Sequence, residues 1–293
     1  MPDRCTMRIG CDEHKELFCR TFIATHQPYD PRDLPWPELD RESLQRLRGI
    51  PFWSTALQVE SNAGAMVSGF AESLTDPLIR EAVALQGFEE DRHARLIATM
   101  VQRYGLPAVA REPKPTISER AFIDFGYEEC LDSFFGFGIY RLARQVHFLP
   151  ESLTSLFARI LHEEARHIVF FVNWIAYERV RRGRGALPLQ ALLAGYGYAR
   201  ALVGLVKTAT RTRSGSGFLA ADAGATFSGL TLASFLEACL VENEEQMAVI
   251  DERLLQPRVL PQIARFVLDA IGMWERAGRR AGLRAPRSDD GAR

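Results

Sequence analysis

Little in this sequence is in excess, and each shortage removes a class of protein. Formal net charge is −1 over 293 residues, so neither the basic surplus that attracts nucleic acid nor the acidic surplus of a solvating tail is present. Five cysteines (Cys5, Cys11, Cys19, Cys130, Cys239) are too few and too scattered for a disulfide framework, which fits a reducing compartment. Cys5, Cys11, His14 and Cys19 cluster, but without the paired C-x2-C spacing of a zinc knuckle. Residues 1–15 contain no apolar core, so no secretory signal is expected. The most apolar long stretch, 187–206, carries Gln190 and Arg200, which favours a buried helix over a membrane span. The expectation is a cytoplasmic protein with no nucleic-acid and no membrane partner.

Alternating apolar runs are also missing past Phe52, so strands are not expected and an all-α fold is the plain reading. Pro28, Pro31, Pro35 and Pro37 remove backbone donors and disfavour helix before them, so 1–50 reads as an irregular N-terminal arm. Helices are predicted over 52–73 and 77–104. Between them Asp76 can cap the second helix and Pro77 fits its first position, while Gly105 and Pro107 stop it. Two more follow over 118–147 and 150–182. About three further helices, near 189–210, 231–255 and 260–277, are separated by a Gly/Ser-rich connection at 214–229. The polar tail 279–293 is expected to be disordered. The division is therefore an arm (1–50), a four-helix unit (51–182), added helices (183–278) and a tail (279–293).

Histidine is scarce, with six in the chain, yet two sit in the same five-residue setting. These are Glu89-Glu90-Asp91-Arg92-His93 and Glu163-Glu164-Ala165-Arg166-His167. Residues three apart share a helix face, so Glu90 with His93, and Glu164 with His167, can each present a carboxylate and an imidazole to a metal. Glu164 and His167 share their stripe with Ile160, Leu161, Ile168, Phe171 and Ile175; Glu90 and His93 share theirs with Val83, Gln86 and Ile97. Burying such groups on a core-facing stripe is costly unless a cation compensates.

A di-metal carboxylate site needs one more acid from each of the other two helices. Glu60 is the only acid between Phe52 and Ala71. Glu60 and Glu90 are each fifteen residues from Thr75, so in an antiparallel hairpin rising about 1.5 Å per residue they reach the same height. On the third helix the alternatives are Glu129 and Asp132. Reflection through a turn near Leu149 favours Asp132; the longer side chain and its face, shared with Phe122, Phe125, Gly126 and Gly136, favour Glu129. Glu129 is taken as the ligand, with Asp132 as a carboxylate that orients a ligating histidine.

A Glu on one helix, Glu-x-x-His on the next, then the same again resembles the ferritin-like di-iron carboxylate superfamily. That group includes rubrerythrin, ribonucleotide reductase small subunits, multicomponent monooxygenase hydroxylases, acyl-carrier desaturases and aldehyde-deformylating oxygenase. The resemblance covers 52–182 and is specific for the metal site. It implies a four-helix bundle, with metal held by Glu60, Glu90, His93, Glu129, Glu164 and His167. It also implies supporting roles for Glu89, Arg92, Glu163 and Arg166, which would otherwise form a solvated charged edge.

Four carboxylates and two imidazoles without a thiolate suit two iron ions, manganese or a mixed Mn/Fe pair. O2 is the implied co-substrate. An O2-dependent oxidoreductase (oxygenase, oxidase or desaturase) acting on a small, partly apolar molecule is the leading expectation, because the chain extends well beyond four helices. Iron storage, ferroxidase or rubrerythrin-like activity is the alternative. No flavin, nicotinamide or iron–sulfur fingerprint is present, so an external electron donor is expected. A homodimer is left open. The segment Phe134-Phe135-Gly136-Phe137-Gly138 either frames an apolar cavity beside the metals or serves core packing and close helix approach.

Overall fold

A computed structural model describes residues 8–109, 111–212 and 230–280, and it contains no strand among them. The helices are α1 (Asp12–Ala24), α2 (Arg41–Gly49), α3 (Trp53–Ser73), α4 (Pro77–Tyr104), α5 (Glu119–Gln145), α6 (Glu151–Arg181), α7 (Leu187–Thr212), α8 (Leu232–Ala248) and α9 (Val259–Arg280). Asp76 caps α4 by accepting from the Leu78 and Ile79 amides, and Gly105 ends it in a left-handed conformation at φ 58°. The expected connection at 214–229 and most of the expected tail lie outside the described residues.

Residues 8–50 are not an irregular arm. They hold α1, α2 and a single 3-10 turn at Pro31–Asp33. All four prolines fall between the two helices, so they punctuate rather than forbid them. The α1 cap is the sulfur of Cys11, which accepts from the His14 amide. Sulfur is outside the usual capping set. Farther on, the helix expected to reach 255 stops at Ala248.

α3 packs along α4, and α5 along α6, with α3 also against α5 and α4 against α6. The α3–α4 approach is close because two glycines face backbone. A Cβ on Gly64 would stand 2.9 Å from the Asp91 nitrogen, and one on Gly87 would stand 2.7 Å from the Ser68 nitrogen. Outside this group, α1 lies on α4 and α6, α7 and α8 cover α5, and α9 packs on α8.

Two apolar clusters fill the interior. One contains Phe70, Val83, Phe122, Phe171 and Trp174. The other contains Trp53, Leu57, Ile97, Met100, Leu153 and Leu156. Along α3, α4 and α6 the polar residues of the site fall between them, so the site is sealed at both ends by hydrocarbon. At the far end His14 joins α1 to the rest. Its Nδ1 accepts from the Gly10 amide at 3.3 Å, and its Nε2–H donates to Asn173 Oδ1 at 3.0 Å. The Asn173 amide group in turn donates to the Leu255 carbonyl at 2.9 Å.

The aromatic run of α5 packs the core. Phe134 and Phe135 lie against Phe235 and its neighbours on α8, and Phe137 is fully buried. A Cβ on Gly138 would meet the Cys239 backbone of α8 at 3.2 Å. The second of the two readings of that segment therefore applies: it permits helix contact.

Candidate metal centre

Glu60 on α3, Glu90 and His93 on α4, and Glu164 on α6 each offer a ligand atom, and these atoms lie within 4.8 Å of one another. Glu90 and His93 are fully buried; the Glu60 and Glu164 side chains keep a small exposed fraction. His93 Nδ1 is 3.2 Å from Glu164 Oε1 and 3.6 Å from both Glu60 Oε2 and Glu90 Oε2. His167 faces the same acids from α6, with Nδ1 3.0 Å from Glu90 Oε1 and 3.6 Å from Glu164 Oε2. Glu90 and Glu164 thus stand between two imidazoles whose ring centres are 5.7 Å apart.

These inward contacts are not directed as hydrogen bonds. Both Nδ1 atoms, and Oε2 of Glu90 and of Glu164, are buried without a hydrogen-bond partner. A buried polar atom left unpaired costs about 1–3 kcal/mol. Such unpaired oxygen and imidazole donors, with Glu60, Glu90, His93 and Glu164 grouped closely enough to share one ion, are compatible with metal binding.

The outward faces of the same rings are fully engaged, and the engagement is crossed. His93 of α4 donates through Nε2 to Glu163 Oε2 of α6 at 2.9 Å. His167 of α6 donates through Nε2 to Glu89 Oε2 of α4 at 2.8 Å. Arg92 donates to Glu163 at 2.7 Å and Arg166 to Glu89 at 2.8 Å, so the arginines repeat the crossing. All four of these charged residues are buried, which excludes the solvated edge. Burial works against an ionised Glu89, but His167, Arg166 and His26 outweigh it and hold the carboxyl far below its usual range.

The N-terminal segment completes the arrangement. Arg166 donates to the Phe22 carbonyl at 2.6 Å and to Thr25 Oγ1 at 2.9 Å, and its guanidinium lies over the Phe22 ring. Arg92 donates to the Gln27 carbonyl at 3.0 Å and lies 4.0 Å from the Tyr29 ring centre. His26 donates through Nδ1 to Glu89 at 2.6 Å. Sequence reading missed Thr25, His26, Gln27 and Tyr29. The signal available was the demand of two buried guanidiniums for further acceptors, which points to no particular residue.

On α5, Glu129 turns toward the acids: burial, then the charges of Glu164, Glu90 and Glu60, push its carboxyl well above the usual range. Burial raises Glu60 to about 7, with His93 opposing and the neighbouring acids assisting. Burial opposes ionisation of Glu164 too, yet His167, His93 and Glu129 hold it well below the usual range. Four carboxylates this close cannot all be charged without a cation, and protons take that place. Asp132 departs from its expected role. Its residue surface is exposed and it makes no hydrogen bond or ion pair among the described residues, although partial burial of the carboxyl, then the charges of Glu128 and Glu164, raise it to about 7; Glu163 and Glu89 occupy both histidines' outer nitrogens.

Comparison with family models, with curated proteins and with solved structures gives no match.

Proposed function

We propose that this chain is a ferritin-like four-helix di-metal carboxylate protein, and that its metals serve an O2-dependent oxidation of a small organic molecule. The observation that carries the metal reading is the set of orphaned inner atoms, Nδ1 of His93 and His167 and Oε2 of Glu90 and Glu164, behind anchored outer ones. Glu60, Glu90, His93, Glu129, Glu164 and His167 would hold two divalent ions. The donor set contains only oxygen and imidazole nitrogen, which suits iron or manganese. Bound, such a pair supplies electrons to O2 and oxidising power for a C–H bond.

The chain's own residues orient and insulate. Glu163 with Arg92, and Glu89 with Arg166, fix each imidazole so that Nδ1 points inward, an arrangement that raises ligand basicity. The two apolar clusters exclude water from both ends. In the metal-free state burial and the neighbouring acids favour the neutral form of the Glu129 carboxyl, and a bound cation would oppose them. The oxidoreductase reading is favoured over storage because α7 and α8 build over α5, beyond what a four-helix storage subunit needs.

The test is anaerobic reconstitution with ferrous iron, desalting and metal analysis, then aerobic titration. About two irons per chain are expected, with no further retention in air. A single zinc, or no uptake, would sink the metal reading; retention of many tens of irons in a hollow particle would move the protein to storage.

A further inference from the structure

A cavity of about 340 Å3 lies between the C-terminal end of α1, α6 and the turn after α8. None of the six acids and imidazoles assigned to metal lines it. Its walls are mainly apolar: Phe18, Phe22, Phe170, Val169, Ile250 and Leu254. That volume and that lining match small-molecule sites in general, where apolar surface gives affinity and a few polar groups give orientation.

The polar groups restrict what fits. Arg166 is the only permanent cation on the wall, and it is committed: Nε to Thr25, Nη1 to Glu89, Nη2 to the Phe22 carbonyl. Asp251 stands on the wall with its carboxylate held ionised by Arg253. That pairing neutralises Asp251, so an anion entering would find no uncommitted guanidinium on the wall. His26 Nδ1 is 2.6 Å from Glu89 and its Nε2 makes no hydrogen bond among the described residues, so in the neutral ring with the proton on Nδ1 that atom is an acceptor. The pocket therefore combines aromatic walls with neutral hydrogen-bonding groups, His26, His162, Thr21 and Gln27, and no uncommitted cation.

We infer that this cavity is a small-molecule site for a neutral aromatic alcohol, with its rings among Phe18, Phe22 and Phe170 and its hydroxyl donating to His26 Nε2. The site is formed without metal. An occupant would nevertheless be felt at the centre, because His26 and Arg166 both bond Glu89, and Glu89 bonds His167.

The experiment uses metal-free full-length protein and isothermal titration with three probes of one shape: 1-naphthol, 1-naphthoate and naphthalene. 1-Naphthol is expected to bind about tenfold more tightly than the other two, the value of one hydrogen bond plus a rejected charge. His26→Phe should bring 1-naphthol down to the level of naphthalene, and His26→Gln, which retains both an amide donor and an acceptor, should restore it. Thr21→Trp, from the half-buried wall of α1, should abolish binding of every probe. Equal or tighter binding of 1-naphthoate, indifference to His26→Phe, unimpaired binding in Thr21→Trp, or no binding to the wild type would each overturn the assignment. Because no metal is present, failure here leaves the reading of the metal centre untouched.

Discussion

His93 on α4 is tied through its outer nitrogen to Glu163 on α6 at 2.9 Å, not to any acid of its own helix. The reciprocal tie runs from His167 to Glu89. Each repeat of the Glu-Glu-x-Arg-His motif therefore supports the histidine of the other, and the two helices are latched twice across the centre. Replacing Glu89 or Glu163 by Gln should keep the stoichiometry at saturating iron but weaken affinity about 10–100-fold. A chelator competition assay reads this directly, and unchanged affinity in both variants would remove the supporting role.

Residues whose atoms face the centre should behave differently. Glu60→Ala, His93→Ala and His167→Ala are each expected to lower the metal content at saturation. The sharper comparison is Glu129→Ala against Asp132→Ala, since Glu129 feels Glu164, Glu90 and Glu60 together, whereas Asp132 has no hydrogen bond or ion pair among the described residues. Metal loss is expected in the first and wild-type content in the second; the opposite result would reverse the assignment.

Metal should also stabilise the fold, because the orphaned atoms and crowded acids are a liability without it. Free ferrous or manganous ion at a hundred times its dissociation constant should add about 2.7 kcal/mol. Differential scanning calorimetry with and without chelator measures the shift. A melting temperature indifferent to either ion would argue that the cluster binds neither.

Much of this arrangement is legible from counting residues, and some of it is not. The break at Thr75-Asp76-Pro77 sets the α3–α4 hairpin, and equal distances from it bring Glu60 and Glu90 to one imidazole. The twin motifs expose their histidines by repetition alone. By contrast, the crossed ties depend on which helix faces which, and one-dimensional spacing does not contain that. The prolines at 28–37 concealed α1 and α2 because a breaker between two short helices looks like a breaker throughout. The Phe134–Gly138 run was ambiguous because its partner, α8, lies a hundred residues away.

Helix approach gives a prediction opposite in sign to propensity. Gly→Ala inside a helix ordinarily stabilises by about 1 kcal/mol. Gly87→Ala should instead destabilise by about 1–3 kcal/mol, because the new methyl meets the Ser68 backbone, which cannot swing aside. Chemical denaturation of the metal-free protein decides the sign.

Acid should loosen α1. Burial lowers the His14 pKa, with the Asn173 bond opposing, so the folded value lies below the unfolded value of about 6.5. The unfolded chain then binds more protons, and the stability His14 contributes is full above about 6.5 and lost as pH falls through the folded value. Protonation would also place a proton on Nδ1, which now accepts from Gly10. The melting temperature should drop between pH 7 and pH 5 more in the wild type than in His14→Gln; equal slopes would clear His14 of the effect.

The bonds that Phe22 and Thr25 make to Arg166 join residues 144 and 141 positions apart. A chain synthesised from its N-terminus exposes α1 early, but the guanidinium that Phe22 and Thr25 bond arrives only when α6 has emerged. Until then α1 can rest Phe18 and Phe22 only on the α3–α4 side of their apolar cluster. The beginning of this protein must wait for its middle: the bonds that fix α1 close only when Arg166 has been made.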